Sequence, residues 1–192
     1  MHKLARLLER LGQSSKVNQL YFDEARRGWY NRYQRLSETL RDEFAEPDEN
    51  EREMNEYISY HAFAANLHEC SIYPASPTFA IWALRKALEM KHEEGRMRDT
   101  HVLAAAQWIL WNGQSLFMQV RYPGDVGPDD KQNWSPGDLY DGEPLPTLHR
   151  WRFWSTRFRE FAQQVHAVSD ECKTVAAKAA DMMDSIERNM TF

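Results

Sequence analysis

Between Thr147 and Val165 the apolar side chains Leu148, Trp151, Trp154, Phe158, Phe161 and Val165 recur at steps of three and four. That is the period of an α-helix with one face turned to a core, and a strand, whose side chains alternate every second residue, cannot use it. No stretch elsewhere alternates apolar and polar residues convincingly enough for a strand. The chain is therefore expected to solve its packing with helices alone.

The same reading places further helices. Leu4, Leu7, Leu8 and Leu11 mark a first one, expected as a loosely attached helix within residues 1–16. Residues 17–45 carry two helix-compatible stretches, from Leu20, Tyr21 and Phe22 through Trp29, Tyr30 and Tyr33 to Leu36, Leu40 and Phe44, with Gly28 as a bend. The acidic run 46–56 reads as a solvated hinge, with Pro47 closing the helix before it and carboxylates suited to the start of the next. A helix from about 51 to 69 carries Tyr57, Tyr60, His61, Ala64, Ala65 and His68. Ser76 and Pro77 signal the next start, hydroxyl cap then proline, for a helix of 78 to about 93.

Thr100 is the expected cap of a helix running to about 121. Its two stripes, Leu103, Ala106 and Leu110 beside Val102, Ala105, Ile109, Leu116 and Val120, suit a helix buried on two sides. Residues 122–146, with five prolines, four glycines and six acids against one lysine, read as a long structureless loop. Thr147 and Ser169 cap the last two helices, the final one turning Val175, Ala179, Met182, Met183 and Ile186 inward and ending near Arg188. The fold expected is all-α, an irregular multi-helix bundle of about six to eight helices with one long Pro/Gly/acidic loop. Residues 1–192 suit a single domain, long enough to bury roughly 70% of the unfolded surface without staples.

Composition narrows the function classes. Aromatic residues make up 12% of the chain, seven of them Trp, which no disordered chain shows. A net charge of −5 argues against nucleic acid, whose phosphates call for a basic surface. Cys70 and Cys172 lie in no metal-like spacing and suit a reducing compartment. No apolar run approaches the ~20 residues that cross a bilayer, so no membrane partner is expected. The compartment expected is cytoplasm or nucleus, with the basic leucine-rich start faintly like a mitochondrial presequence as the alternative.

Chemistry leaves few marks. A di-iron bundle needs Glu-x-x-His on two helices, and Glu89 to His92 is one such tetrad without a second copy. His61 and His68 are seven residues apart, on one helix face but two turns distant, and read as core or boundary histidines. No zinc-protease, calcium-loop, phosphate-loop, dinucleotide or nucleophile-elbow pattern occurs. Asp181 and Asp184 read as a solvated helix edge. No metal and no cofactor is expected.

The segment from His149 to Arg159 is the most suggestive, with Arg150 and Arg157 on one flank of its aromatics and Arg152 and Arg159 on the other. Its guanidiniums either grip an anion or RNA bases, or lie over the core and pair with acids on neighbouring helices. Arg85 either pairs with Glu89, one turn on, or reaches inward.

Four segments, 61–67, 79–89, 104–113 and 148–158, occur in an order that resembles a fungal family of helical proteins catalogued only as a domain of unknown function. The resemblance spans roughly residues 55–185 and rests on Trp82, Arg85, Glu89, Trp108, Trp151, Trp154, Arg157 and Phe158. The chain departs from it at His61, where an asparagine is usual. It implies a fungal, intracellular, all-helical protein and supplies no activity, cofactor or catalytic residue.

Two function classes follow. The first is a non-catalytic binding or interaction domain that engages an unknown protein or small molecule. The alternative is an enzyme of unrecognised type, with groups such as His61, His68, Glu89 and His149 converging beneath the 122–146 loop. Nucleic-acid binding through 148–159 comes third. Candidate ligand or partner contacts are His61, His68, Arg85, Glu89, Trp108, His149, Trp151, Trp154 and Arg157.

Overall fold

The computed structural model describes residues 2–14, 34–42, 44–70, 77–164 and 167–190. Eight α-helices and no strand occur among these residues. They are α1 (His2–Gln13), α2 (Gln34–Asp42), α3 (Glu51–Glu69), α4 (Thr78–Leu84), α5 (Arg96–Arg121), α6 (Pro128–Asn133), α7 (Leu148–Gln163) and α8 (Asp170–Met190). A π-helical turn, Arg85–Glu89, prolongs α4. The expected aromatic stretch from Leu20 to Tyr33, with Gly28, lies outside the described residues, as do Ser76 and Val165. No described helix is long and apolar enough to cross a membrane.

Side-chain caps start three of these helices. Asn50 caps α3, its side chain accepting a hydrogen bond from the Glu53 amide at 2.9 Å, and Glu51 and Glu53 lie in the first turn near its positive pole. Thr147 caps α7 by accepting from the Arg150 amide at 3.2 Å. The Ser169 hydroxyl accepts from the Cys172 amide at 3.3 Å and starts α8.

Two expected starts shift. Pro77 occupies the cap position of α4, and Thr78 is its first helical residue. Thr100 lies one turn inside α5, its hydroxyl donating back to the Arg96 carbonyl at 2.9 Å. The helix begins instead after Gly95, whose φ of +146° favours a residue without a Cβ.

α5 spans 26 residues, about 39 Å of helix, and forms the spine. α3 packs on one side of it and α8 on another, α7 packs on α8, and α4 lies across α5. Trp108, Phe117, Trp151, Trp154 and Phe158 are fully buried in a single core. Alanines at 105 and 106 of α5 and at 176, 179 and 180 of α8 are buried in it too. Met182 is 38% exposed, contrary to the inward face expected of it; Ala176 and Ala180 take the buried positions of α8.

The 122–146 segment is less bare than its composition suggests. It contains α6, with Pro128 in the first turn and the Gly127 amide donating to the Asp130 carboxylate at 3.1 Å. Trp134 and Tyr140 are 5% and 3% exposed, and both fold back onto the bundle.

Candidate functional site

The Arg85–Glu89 turn, the 134–140 segment and α7 meet around one carboxylate. Glu89 is fully buried, and its two oxygens accept four hydrogen bonds. Arg150 supplies two of these from α7, Nε at 2.7 Å to Oε1 and Nη2 at 2.9 Å to Oε2. Trp154 Nε1 donates at 2.6 Å to Oε1, and the Gly137 amide donates at 3.0 Å to Oε2.

Arg150, also fully buried, donates from Nη1 to the Trp134 carbonyl at 2.7 Å. Its guanidinium lies 5.3 Å from the Tyr140 ring centre and 5.4 Å from that of Trp154. The Glu89 carbonyl in turn accepts from the Leu139 amide at 2.8 Å. A buried ion pair is tolerable only when it is well partnered, and here each carboxylate oxygen accepts two hydrogen bonds while three of the five guanidinium N–H groups find acceptors among the described residues.

Gly137 has to be glycine at this junction. A Cβ there would stand 2.5 Å from the Glu89 carbonyl oxygen. Neighbouring contacts tighten the same seam: Trp134 Nε1 donates to Thr78 Oγ1 and Trp82 Nε1 to the Asn133 carbonyl, at 2.9 and 2.8 Å. Arg85 points to the loop rather than to Glu89, donating to the Ser135 carbonyl at 3.0 Å. Burial, with the charge of Arg150 next in weight, draws the Arg85 guanidinium below its ordinary pKa.

His149 is exposed at the rim of this seam, Nδ1 3.1 Å from the Tyr140 hydroxyl. Arg157 donates to the Leu88 carbonyl at 3.2 Å and pairs with Glu160. Trp151 is buried against Phe117, ring centres 4.9 Å apart, with no acceptor for its indole nitrogen among the described residues.

A second group lies between α3 and α5. Trp108 Nε1 donates to His61 Nδ1 at 2.9 Å, which fixes the His61 proton on Nε2. Phe44, Tyr57 and Tyr60 surround the His61 ring at 5.1, 4.5 and 5.3 Å. His68 meets the other side of Trp108 edge to face at 5.2 Å. His61 and His68 thus share an indole and stand apart from the Glu89 seam.

His101, not anticipated from the sequence, extends this group. It lies 5.8 Å from Tyr57 and 5.2 Å from His92, whose ring nitrogen bonds the Lys86 carbonyl. Its one periodic signal is its place within the buried stretch of α5, which any apolar residue would share. Loss of water pushes all three histidines down, His61 to about 3 and His68 and His101 to about 4. They are neutral at pH 7 and far from the value a general base needs there.

Three further pairings account for the remaining α7 cations. Arg152 bonds Glu187 at 2.7 Å, and Arg159 pairs with Asp184 and, at 3.4 Å, with Asp181. These three acids lie on α8, where Asp181 and Asp184 were expected as a solvated edge. They line a polar cleft of about 730 Å³. Among the described residues no group of three or more His, Cys, Asp and Glu is placed to hold a metal ion.

An apolar opening lies between α5 and α8. It is a groove of about 670 Å³ with Ile109, Leu110 and Ile186 in its wall. Trp111, 46% exposed, and Met182, 38% exposed, also line it. Glu69, Lys178 and Asp181 supply charge at its margin. The sequence reading passed over Trp111 and turned Met182 inward, because periodicity marks which residues repeat and not which of them stay uncovered.

An all-α bundle held by a buried Arg–Glu seam defines the architectural class. The chain belongs to the family described as protein of unknown function (DUF3632), whose model matches residues 1–158. That match starts earlier than the resemblance noted above and ends inside α7. No curated protein and no solved structure matches the chain.

Proposed function

We propose that this protein is a non-catalytic binding domain that receives an amphipathic helix of a protein partner in the groove between α5 and α8. The observation that carries this is the pair Trp111 and Met182, two large side chains left 46% and 38% exposed at an apolar groove with a charged margin. Trp and Met are enriched where proteins meet, and a groove between two helices is the usual seat for an i, i+3, i+4, i+7 apolar face. The acid–base groups support the same reading from the other side. The strongly shifted histidines sit in a dry interior against aromatic rings, and Glu89 is saturated by four donors, so neither faces an open cleft. The α7 arginines are each engaged by a carboxylate, which speaks against their gripping phosphates. Two buried, unpaired cysteines favour a cytoplasmic or nuclear setting.

Selection of amphipathic helical peptides from a displayed library tests the proposal. Peptides recovered on the wild-type protein are expected to lose at least tenfold in affinity on Met182→Glu, with the melting temperature unchanged. Peptides that bind Met182→Glu as tightly, or a library that yields none, would sink the groove reading.

A further inference from the structure

α1 touches the bundle along one side only. Ala5 is fully buried and Leu8 half-buried, in a small cluster with Leu67 and Cys70 at the end of α3. The other apolar side chains of α1 face away: Leu4 is 47% exposed, Leu7 52% and Leu11 41%. Steps of three and four put these three in one stripe along the helix. Lys3 and Arg10, seven residues apart, follow one edge of that stripe, while the α3 contact closes the other. Arg6 is held by Glu9 at 2.9 Å, whereas Lys3 and Arg10 have no ion pair among the described residues.

We propose that α1 is an interfacial anchor that lies flat on an anionic phospholipid surface. Leu4, Leu7 and Leu11 would enter the acyl boundary, and Lys3 and Arg10 would meet the headgroup phosphates. A short helix with a leucine face and basic flanks is the form such anchors take, and its long cationic side chains can keep their charge in the headgroup layer. A second copy of the chain fits less well, because antiparallel stripes would bring Lys3 and Arg10 against like charges, and parallel ones would set each basic edge against the side of α1 that packs on α3. The expectation of no membrane partner rested on the lack of a spanning segment, which does not bear on a helix lying in the surface plane. This inference stands apart from the α5–α8 groove.

Co-sedimentation of the full chain with vesicles decides it, using phosphatidylcholine alone and phosphatidylcholine mixed with phosphatidylserine. Binding is expected to the mixed vesicles, far weaker to the neutral ones, and reduced by added salt. Leu7→Glu is expected to lower partitioning roughly tenfold or more, because an exposed apolar group that would enter the boundary is replaced by a charge. Lys3→Glu and Arg10→Glu are expected to lower it roughly fivefold each. All three positions are exposed, so melting curves should overlay the wild type. Absence of binding to either vesicle, or equal binding by Leu7→Glu, would overturn the proposal. So would a concentration-dependent dimer that Leu7→Glu abolishes in the absence of any vesicle binding, which would assign the stripe to a second copy.

Discussion

Glu89 shows how a charge is kept inside a bundle of this size. Removing a carboxylate from water costs several kcal/mol, and the cost is offset only if every lone-pair direction finds a donor. Four donors from three residues, Gly137, Arg150 and Trp154, do so here. Glu89→Gln keeps the shape and leaves the Arg150 charge unpaired at full burial, so a loss of about 3–5 kcal/mol is expected in urea unfolding. A loss under about 1 kcal/mol would mean that water reaches the pair. Little of this was legible beforehand. Glu89 was visible only through residues one turn away, as a metal tetrad with His92 or a pair with Arg85. Its real partner is 61 residues distant, and local spacing carries no information about that. His61 and His68, by contrast, were legible as core or boundary histidines because both sit on the apolar face of α3.

At the level of elements, helix starts marked by a side-chain oxygen were readable, and those marked by backbone conformation were not. Thr147 and Ser169 cap as their sequence context predicts, whereas α5 starts at Gly95 and passes through Thr100. Thr147→Ala is expected to cost about 1 kcal/mol of stability, read from the shift in denaturant midpoint. The 122–146 segment teaches the complementary lesson. Its prolines, glycines and acids describe a loop well, but composition is silent on the two aromatics, Trp134 and Tyr140, that pin it down. Hydrogen exchange can check the pinning. The Gly137 and Leu139 amides, bonded to Glu89, should exchange far more slowly than amides of an open loop, and open-loop rates at both would refute it.

The molecule as a whole should be acid-sensitive. His61, His68 and His101 are held neutral in the fold, at about 3, 4 and 4, against an ordinary value of 6.5. Around His101 the charges of Lys86 and His92 lower it further and Glu46 acts in the opposite sense. Below about pH 6.5 the unfolded chain binds protons that the folded chain refuses. Stability is therefore complete above that pH and falls as the pH drops toward 4, by about 1.4 kcal/mol per unit for each histidine. Together the three should remove roughly 4–6 kcal/mol by pH 5, a large part of the 5–15 kcal/mol typical of a domain. Urea midpoints between pH 7 and 5 measure this, and His68→Leu should flatten the slope by about a third. A flat profile in the wild type would show that these rings are hydrated.

The π-helical turn at Arg85–Glu89 carries a consequence for how this chain tolerates change in length. A π turn closes over one residue more than an α turn, so the facing of Glu89 depends on a count as well as on a residue type. Losing one residue from this stretch would let it relax to an ordinary helix with Glu89 still turned toward Arg150, whereas losing a second would swing the carboxylate by about 100° around the axis. Relatives that keep an acid and an arginine at these two places should thus show either this spacing from the start of α4 with a π turn, or one residue fewer with an ordinary helix. A deletion of two residues here, harmless in the loop that follows, would unseat the interior charge as surely as mutating it.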